Sequence, residues 1–364
     1  MSEHSYPISQ LVERVAALSK GRLEMRLSGA GDPEVSRFMP PQAAGEGDIA
    51  FLTNPAYAHA MKDSAASVLV MREKDCTAVF GGIPAERIVL LCEDPYAFFA
   101  FASQLFYPVK REPGIHPRAY VEEGAEVDPT ATVDVFAVVR RGAKVGAHAL
   151  ISAGVYVGED AEVGAGTIIY PNAVLYPRTV VGEGCCIQSG AVLGGDGFGF
   201  APFRGEWVKI PQRGRTVLGN DVEIGANTTV DRGALEDTVV GEGTKLDNQI
   251  QLGHNDRIGR HCVMASCVGI AGSTTVGDHV IIGGAAMVNG HITIPSGSAI
   301  GPATAITGWG KEPQQLTGFF PALPMKDFLR SSAVTSRLPE MRAELKALRR
   351  EVEALRALIQ KEEA

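Results

Sequence analysis

The stretch Leu246-Asp-Asn-Gln-Ile-Gln-Leu-Gly-His-Asn255 gathers a carboxylate, several carboxamides and a histidine in ten residues. Histidine is the side chain best suited to moving protons near neutral pH. Eighteen residues after His254 comes Gly272, in Ile270-Ala-Gly-Ser273, and about two such intervals after His254 comes His291, in Asn289-Gly-His. If eighteen residues return the chain to the same edge, an imidazole base stands beside a glycine N–H able to hold an oxyanion, which are working parts of acyl transfer. Asp247, seven residues before His254, would orient the imidazole if the turn folds back, or would serve from a neighbouring subunit. The plainer reading of His254 is a surface histidine with no task. A third reading pairs His254 with His291 around a metal, but two coils separate them by roughly 10 Å along the axis. One ion cannot span that unless subunits contribute differently, so no metal is expected.

The element that must carry these residues is a repeat. From Ile115 an aliphatic residue recurs every six positions through Val121, Val127, Val133 and onward to Leu193 without a gap. The spacing resumes at Leu218, Ile224 and Val230, slips between Asp231 and Glu236, and continues from Val240 through Leu246, Leu252, Ile258 and Met264 to Ile306. Each hexad reads as a short strand and a turn, and three hexads close a triangular coil. Stacked coils then form parallel ladders about 4.8 Å apart, with aliphatic side chains filling the bore. Glycine often follows the aliphatic residue, as at Gly146, Gly158 and Gly253, which suggests permissive backbone for a corner. His254, two places after inward Leu252, should point outward. The excursion at 194–216, rich in glycine and aromatics, is either a tolerated surface loop or the lining of a groove between subunits.

Residues 1–105 lack the six-fold period and read as a small α/β domain. Ile8, Leu11, Val12, Val15 and Leu18 lie on one helical face that stops near Gly21; apolar runs at 49–52, 67–71 and 88–91 read as strands; and Asp94-Pro95 starts another helix. The trio Phe51, Asn54 and Tyr57 would suit a flat base stacked between rings with an amide on its edge, although core aromatics explain it too. The repeat occupies 106–308. In 309–364, an irregular run over 311–330 precedes a heptad seam of Leu338, Met341, Leu345, Leu348, Val352, Leu355 and Ile359, a helix that wants a partner.

Bulk properties narrow the function classes. A net charge of −8 opposes nucleic-acid binding, and the six cysteines lack the paired spacing of zinc or redox motifs. No apolar stretch is long enough for a membrane span, and the N-terminus does not read as a signal peptide, so the cytoplasm is expected.

Four segments together resemble the UDP-3-O-(3-hydroxyacyl)glucosamine N-acyltransferase family of lipid A biosynthesis: Phe51-Leu-Thr-Asn-Pro-Ala-Tyr57, Gly194-Gly-Asp-Gly-Phe-Gly-Phe200 with Lys209-Ile-Pro-Gln212, Glu223 to Leu235, and Leu246 to Asn255. The resemblance implies a mainly β fold, a left-handed parallel β-helix of hexapeptide repeats, despite the usual right-handed crossover rule. It implies transfer of a 3-hydroxyacyl group from the phosphopantetheine of acyl carrier protein to the 2-amine of a UDP-linked, 3-O-acylated glucosamine. His254 would be the general base, Asp247 its support and Gly272 the oxyanion donor. Asn248 and His291 would position sugar or thioester, and Phe51, Asn54 and Tyr57 would hold uracil in a uridine-binding domain. No cofactor is implied, and a homotrimer with sites between adjacent β-helices is. Ala303, Ala305 and Thr307 stand where some relatives carry methionines that shape the acyl chamber, which leaves acyl length open. The sister UDP-N-acetylglucosamine O-acyltransferases share the repeat but lack the domain before it. A noncatalytic, metal-binding solenoid is the remaining alternative.

Overall fold

The computed structural model describes residues 4–318 and 322–362, and the chain divides after Lys110. From Gly114–Ile115 to Ala305–Ile306, most strands are two residues long and end on the six-fold aliphatic residue. From Val133 onward its side chain points inward and is buried, while the residue before it faces out; Ile115 is exposed. Partners lie eighteen residues apart, as in Val133 with Ile151, Ile151 with Ile169 and Ile169 with Ile187. Three all-parallel sheets of nine, eleven and ten strands result among the described residues, the eleventh being Gln315–Leu316, which pairs with Ala299–Ile300 where irregular chain was expected; they are the three faces of a left-handed β-helix whose bore is one continuous apolar core.

Glycine works differently from the sequence expectation. The residues with left-handed backbone fall three places after the inward aliphatic: Gly166 (φ 69°), Gly184 (φ 64°), Asn172 (φ 62°), Asn227 (φ 56°) and His291 (φ 60°). Apart from Gly194 (φ 85°), at the start of the insertion, the glycines one place after it are not in that region. They are small because the next coil lies directly against them. A Cβ on Gly158 would stand 2.6 Å from Pro177 N, on Gly253 2.6 Å from Gly272 N, and on Gly146 2.8 Å from Ala165 N. Coil-to-coil contact, not turn conformation, selects glycine there.

Two irregularities interrupt the ladder. The strand Val192–Asp196 runs past its hexad and pairs Gly195 with Asp231 and Asp196 with Arg232 across a bulge. The chain then leaves as an antiparallel hairpin, Phe200–Phe203 with Glu206–Lys209, and returns at Thr216–Leu218. The second slip follows the strand Thr229–Arg232.

In the N-terminal unit a five-stranded sheet runs Met25–Ser28, Val89–Cys92, Val68–Met71, Asp48–Phe51, Arg37–Phe38, antiparallel only at its first pair. The helix Ile8–Leu18 buries Ile8, Leu11 and Val15, whereas Leu18 is exposed at its end. Asp94 caps Pro95–Phe106 by accepting from Tyr96 N and Ala97 N. The helix Glu73–Phe80 and the edge strand Met25–Ser28 were not anticipated, being short and weakly periodic. After the repeat, Met325–Ser336 is helical where irregular chain was expected, and Leu338–Glu362 is the expected helix. Its seam residues from Leu338 to Leu355 are exposed; the Ile359 side chain lies outside the described residues.

The two glycine classes should respond oppositely to asparagine. At Gly166, where nothing stands within 4 Å of a built Cβ, Gly166→Asn is expected to be nearly neutral, because Asn tolerates left-handed backbone. Gly158→Asn should cost about 1–3 kcal/mol by overpacking and be worse than Gly158→Ala. Urea unfolding of the four proteins, with alanine at each site included, measures the ranking.

Candidate active site

In one coil the three faces carry Lys245–Leu246, Gln251–Leu252 and Arg257–Ile258. His254 lies on the corner between the second and third. The same corner holds Gly272 one coil on and His291 a further coil on. Ser273 N donates to His254 O at 2.9 Å, and His291 N donates to Gly272 O at 3.2 Å. His291 stands one place out of step with His254, at the left-handed position that Asn255 and Ser273 occupy in their coils. The expected trio is therefore together.

The imidazole is held by its neighbour. His254 Nδ1 lies 3.0 Å from Asn255 Oδ1, and that oxygen also accepts from Ala234 N at 2.9 Å. Asn255 N donates to Thr238 Oγ1 at 2.8 Å, and its Nδ2 donates to Glu236 O at 3.3 Å. With the amide oxygen fixed towards the ring, Nδ1 must be the donor, which leaves Nε2 with its lone pair free. Nε2 faces the next coil: a methyl on Gly272 would come within 3.0 Å of it and 3.1 Å of Cδ2. On its other side the ring meets the insertion, because a Cβ on Gly197 would stand 2.5 Å from His254 Cβ and 3.0 Å from Cγ and Cδ2. The imidazole thus occupies a slot between two glycines. Gly272 N–H makes no hydrogen bond among the described residues, so a donor remains available beside the free lone pair.

Asp247 does not reach His254 within the chain. It sits on the corner between the first and second faces, where its carboxylate accepts from Asn248 N at 2.8 Å, from Ser266 N at 3.1 Å and from the Ser266 hydroxyl. The Ser266 hydroxyl and these N–H groups hold its pKa below the ordinary value. Asn248 lies on that corner too and accepts from Ala226 N at 2.6 Å. Seven residues carry the chain across a whole face, so an intrachain route from Asp247 to His254 is excluded; service from a neighbouring subunit is unaffected.

The N-terminal trio does converge. Phe51, Asn54 and Tyr57 line one cavity of about 460 Å³ with Phe38, Met39 and Phe99. Asn54 Oδ1 accepts from Ala56 N, capping the short turn Pro55–Tyr57, so only its Nδ2 is free to donate to a ligand. Tyr57 is 56% exposed. Phe51 stacks on Phe99 with centroids 4.7 Å apart and lies edge-on to Phe38 at 5.8 Å, so one ring serves core and cavity wall together. Among the described residues no group of three or more His, Cys, Asp or Glu could hold a metal, and no helix is long and apolar enough to cross a membrane.

A family model described as UDP-3-O-(3-hydroxymyristoyl) glucosamine N-acyltransferase, LpxD, matches residues 32–105, and a bacterial transferase hexapeptide model of six repeats matches 160–195. A UDP-3-O-acylglucosamine N-acyltransferase of Bordetella pertussis Tohama I is 44% identical over 326 residues, 88% of this chain and 90% of the relative. One of Pseudomonas fluorescens SBW25 is 52% identical over 248 residues, 68% of this chain and 69% of the relative. Among solved structures, the Arabidopsis UDP-N-acetylglucosamine acyltransferase matches with a TM-score of 0.51 at 21% identity, covering 63% of this chain and 81% of that one, a likeness of fold.

One residue beneath the site escaped the sequence reading. Asp256 is fully buried in the bore, at a hexad position that elsewhere carries residues such as Ala149, Val155 and Thr274. Its Oδ1 accepts from Thr274 N at 2.9 Å, while Oδ2 has no partner. Burial pushes its pKa up to about 8, against the Thr274 backbone bond and with help from the Asp231 charge. A folded-state pKa raised above the unfolded one adds stability below the ordinary carboxylate range, and this is lost as pH rises towards about 8. Asp256→Asn keeps the acceptor for Thr274 N and cannot ionise. It should remove that slope and raise stability at pH 8 by a few kcal/mol, read from melting temperatures of both proteins between pH 5 and 9.

Proposed function

Since the chain belongs to the UDP-3-O-acylglucosamine N-acyltransferase family and is therefore an acyltransferase, we propose that it moves a 3-hydroxyacyl group from acyl carrier protein to the 2-amine of a UDP-3-O-acylglucosamine in lipid A biosynthesis. The observation that carries the residue assignment is the fixed tautomer of His254: Nδ1 committed to Asn255, Nε2 free and facing Gly272. As the amine nitrogen attacks the thioester carbonyl, Nε2 takes the amine proton and a C–N bond forms. The carbonyl oxygen, now negative, is met by Gly272 N–H. Collapse breaks the C–S bond, the imidazolium returns its proton to the departing thiolate, and amide and free thiol result. No dissociable cofactor or metal enters this sequence.

Phe51, Asn54 and Tyr57 hold the uracil, with Tyr57 as the exposed face and Asn54 Nδ2 as the donor to its edge. His291, exposed on the His254 corner, positions sugar or thioester. Asp247 and Asn248 act from a neighbouring copy in a homotrimer; the exposed seam of Leu338–Glu362 supports such an assembly. The compartment is the cytoplasm, where the acidic, reduced-thiol composition is at home.

Two measurements test this reading with acyl carrier protein thioester and UDP-3-O-acylglucosamine as substrates. His254→Ala should lower kcat by at least about 100-fold, the lower end of what general base catalysis contributes, with melting temperature unchanged; amide formation at the wild-type rate would remove His254 from the mechanism. Tyr57→Ala should raise KM for the UDP-sugar by roughly tenfold, the loss of one stacking contact, and leave kcat in place.

A further inference from the structure

Two motifs have no task in the mechanism so far: the glycine-rich start of the insertion, Gly194 to Phe200, and Thr229-Val-Asp-Arg232. The fold joins them at His254. Gly195 pairs with Asp231 across the bulge, and two residues later Gly197 lies against the imidazole. From the preceding coil, Val230 pairs with Leu252, so Asp231 follows that rung as Gly253 and His254 follow theirs. Gln251 Nε2 fixes the carboxylate by donating to Asp231 Oδ2 at 3.0 Å while also donating to Leu252 O at 3.0 Å.

We propose that Asp231 is the carboxylate that supports the His254 imidazolium within each chain, and that the insertion holds it there. It is a positioning residue: it acts through His254 and touches no reacting atom. The inference rests on His254 being the base. The charged groups facing Asp231 are His254 from the turn, Asp196 from the extended strand and Asp256 from the bore, with Asp196 itself engaged by Lys209 at 2.9 Å. Burial raises the Asp231 pKa; the Gln251 bond and the His254 charge oppose that, and Asp196 adds to it. A half-buried anion near the ring, held by Gln251 and not in hydrogen-bond contact with the imidazole, favours by its charge the protonated imidazole that forms when the amine loses its proton. Asp247, bound up with Ser266 on another corner, cannot do this from within the chain.

Asp231→Asn keeps shape and the oxygen that Gln251 uses, and removes the charge. In the full-length protein kcat should fall about tenfold with KM unchanged, and the acidic limb of the pH–rate profile should move to lower pH by roughly half a unit. The ring Cε1–H titration, assigned by its disappearance in His254→Ala, should move in the same direction without substrate present. If the Asn variant misfolds, Asp231→Ser should shift both readouts in the same direction. A folded Asp231 variant with the wild-type titration midpoint and acidic limb overturns the proposal. Wild-type protein that forms no amide would instead remove the acyl-transfer reading, and the ring titration would still decide whether Asp231 supports the imidazole.

Discussion

The constraint on which the rest depends is the fixed rise from one coil to the next. Parallel backbone bonds such as Gly253 N to Ile270 O at 2.9 Å and Ala271 N to Val288 O at 3.0 Å hold successive coils at the spacing of neighbouring strands. At the corners that carry glycine one place after the inward residue, the next coil lies too close for a side chain. Gly253 is therefore small for the reason that Gly158 is, and Gly272, two places after Ile270, is small because His254 lies against it. At the active corner the same shortage of space becomes a slot that accepts a flat ring and leaves a backbone N–H uncovered beside it. The chemistry uses a vacancy that stacking had already imposed.

The repeat was legible because its period is a distance: six residues advance one face and eighteen return to the same edge, so residues far apart in sequence acquire a computable separation. His254, Gly272 and His291 were placed on one corner by counting. Counting also shows why Asp247 does not reach His254 within one chain. It looks close in sequence, yet seven residues is more than one hexad and crosses a face. Gly197 and Asp231 could not be counted, since the insertion and the slip after Arg232 break the eighteen-residue interval. Asp256 was within reach: a charged residue at a hexad position otherwise given to small apolar residues and threonine is itself a signal. The role of glycine was misread because identity alone does not distinguish unusual backbone from close approach. Only the backbone φ and the neighbouring coil separate Gly166 from Gly158.

Asp231 and Asp256 show one side-chain type set to opposite tasks by environment. Asp256 lies wholly in the bore with one oxygen unpartnered, and there the neutral acid is favoured. Asp231 is only half-buried and has a donor in Gln251; burial raises its pKa too, but there the Gln251 bond opposes the rise. Phe51 makes the same point for aromatics. The stacking partner on one face is Phe99, and the cavity takes what remains of the ring, so core and ligand readings of the trio are both true of one residue.

The separation of Asp247 from His254 has a consequence for assembly. They occupy different corners of one triangular coil, joined by the strand Gln251–Leu252 that pairs on both sides, with Thr229–Val230 and Gly269–Ile270. No local rearrangement brings them together without breaking rungs in three coils, and each rung is part of the stack that holds the slot. If both residues serve one reaction, the corner bearing Asp247 must come from another copy of the chain. A requirement for oligomerisation then follows from the rigidity of the repeat: a prism too stiff to fold its own corners together can complete a site only by setting one prism against the next.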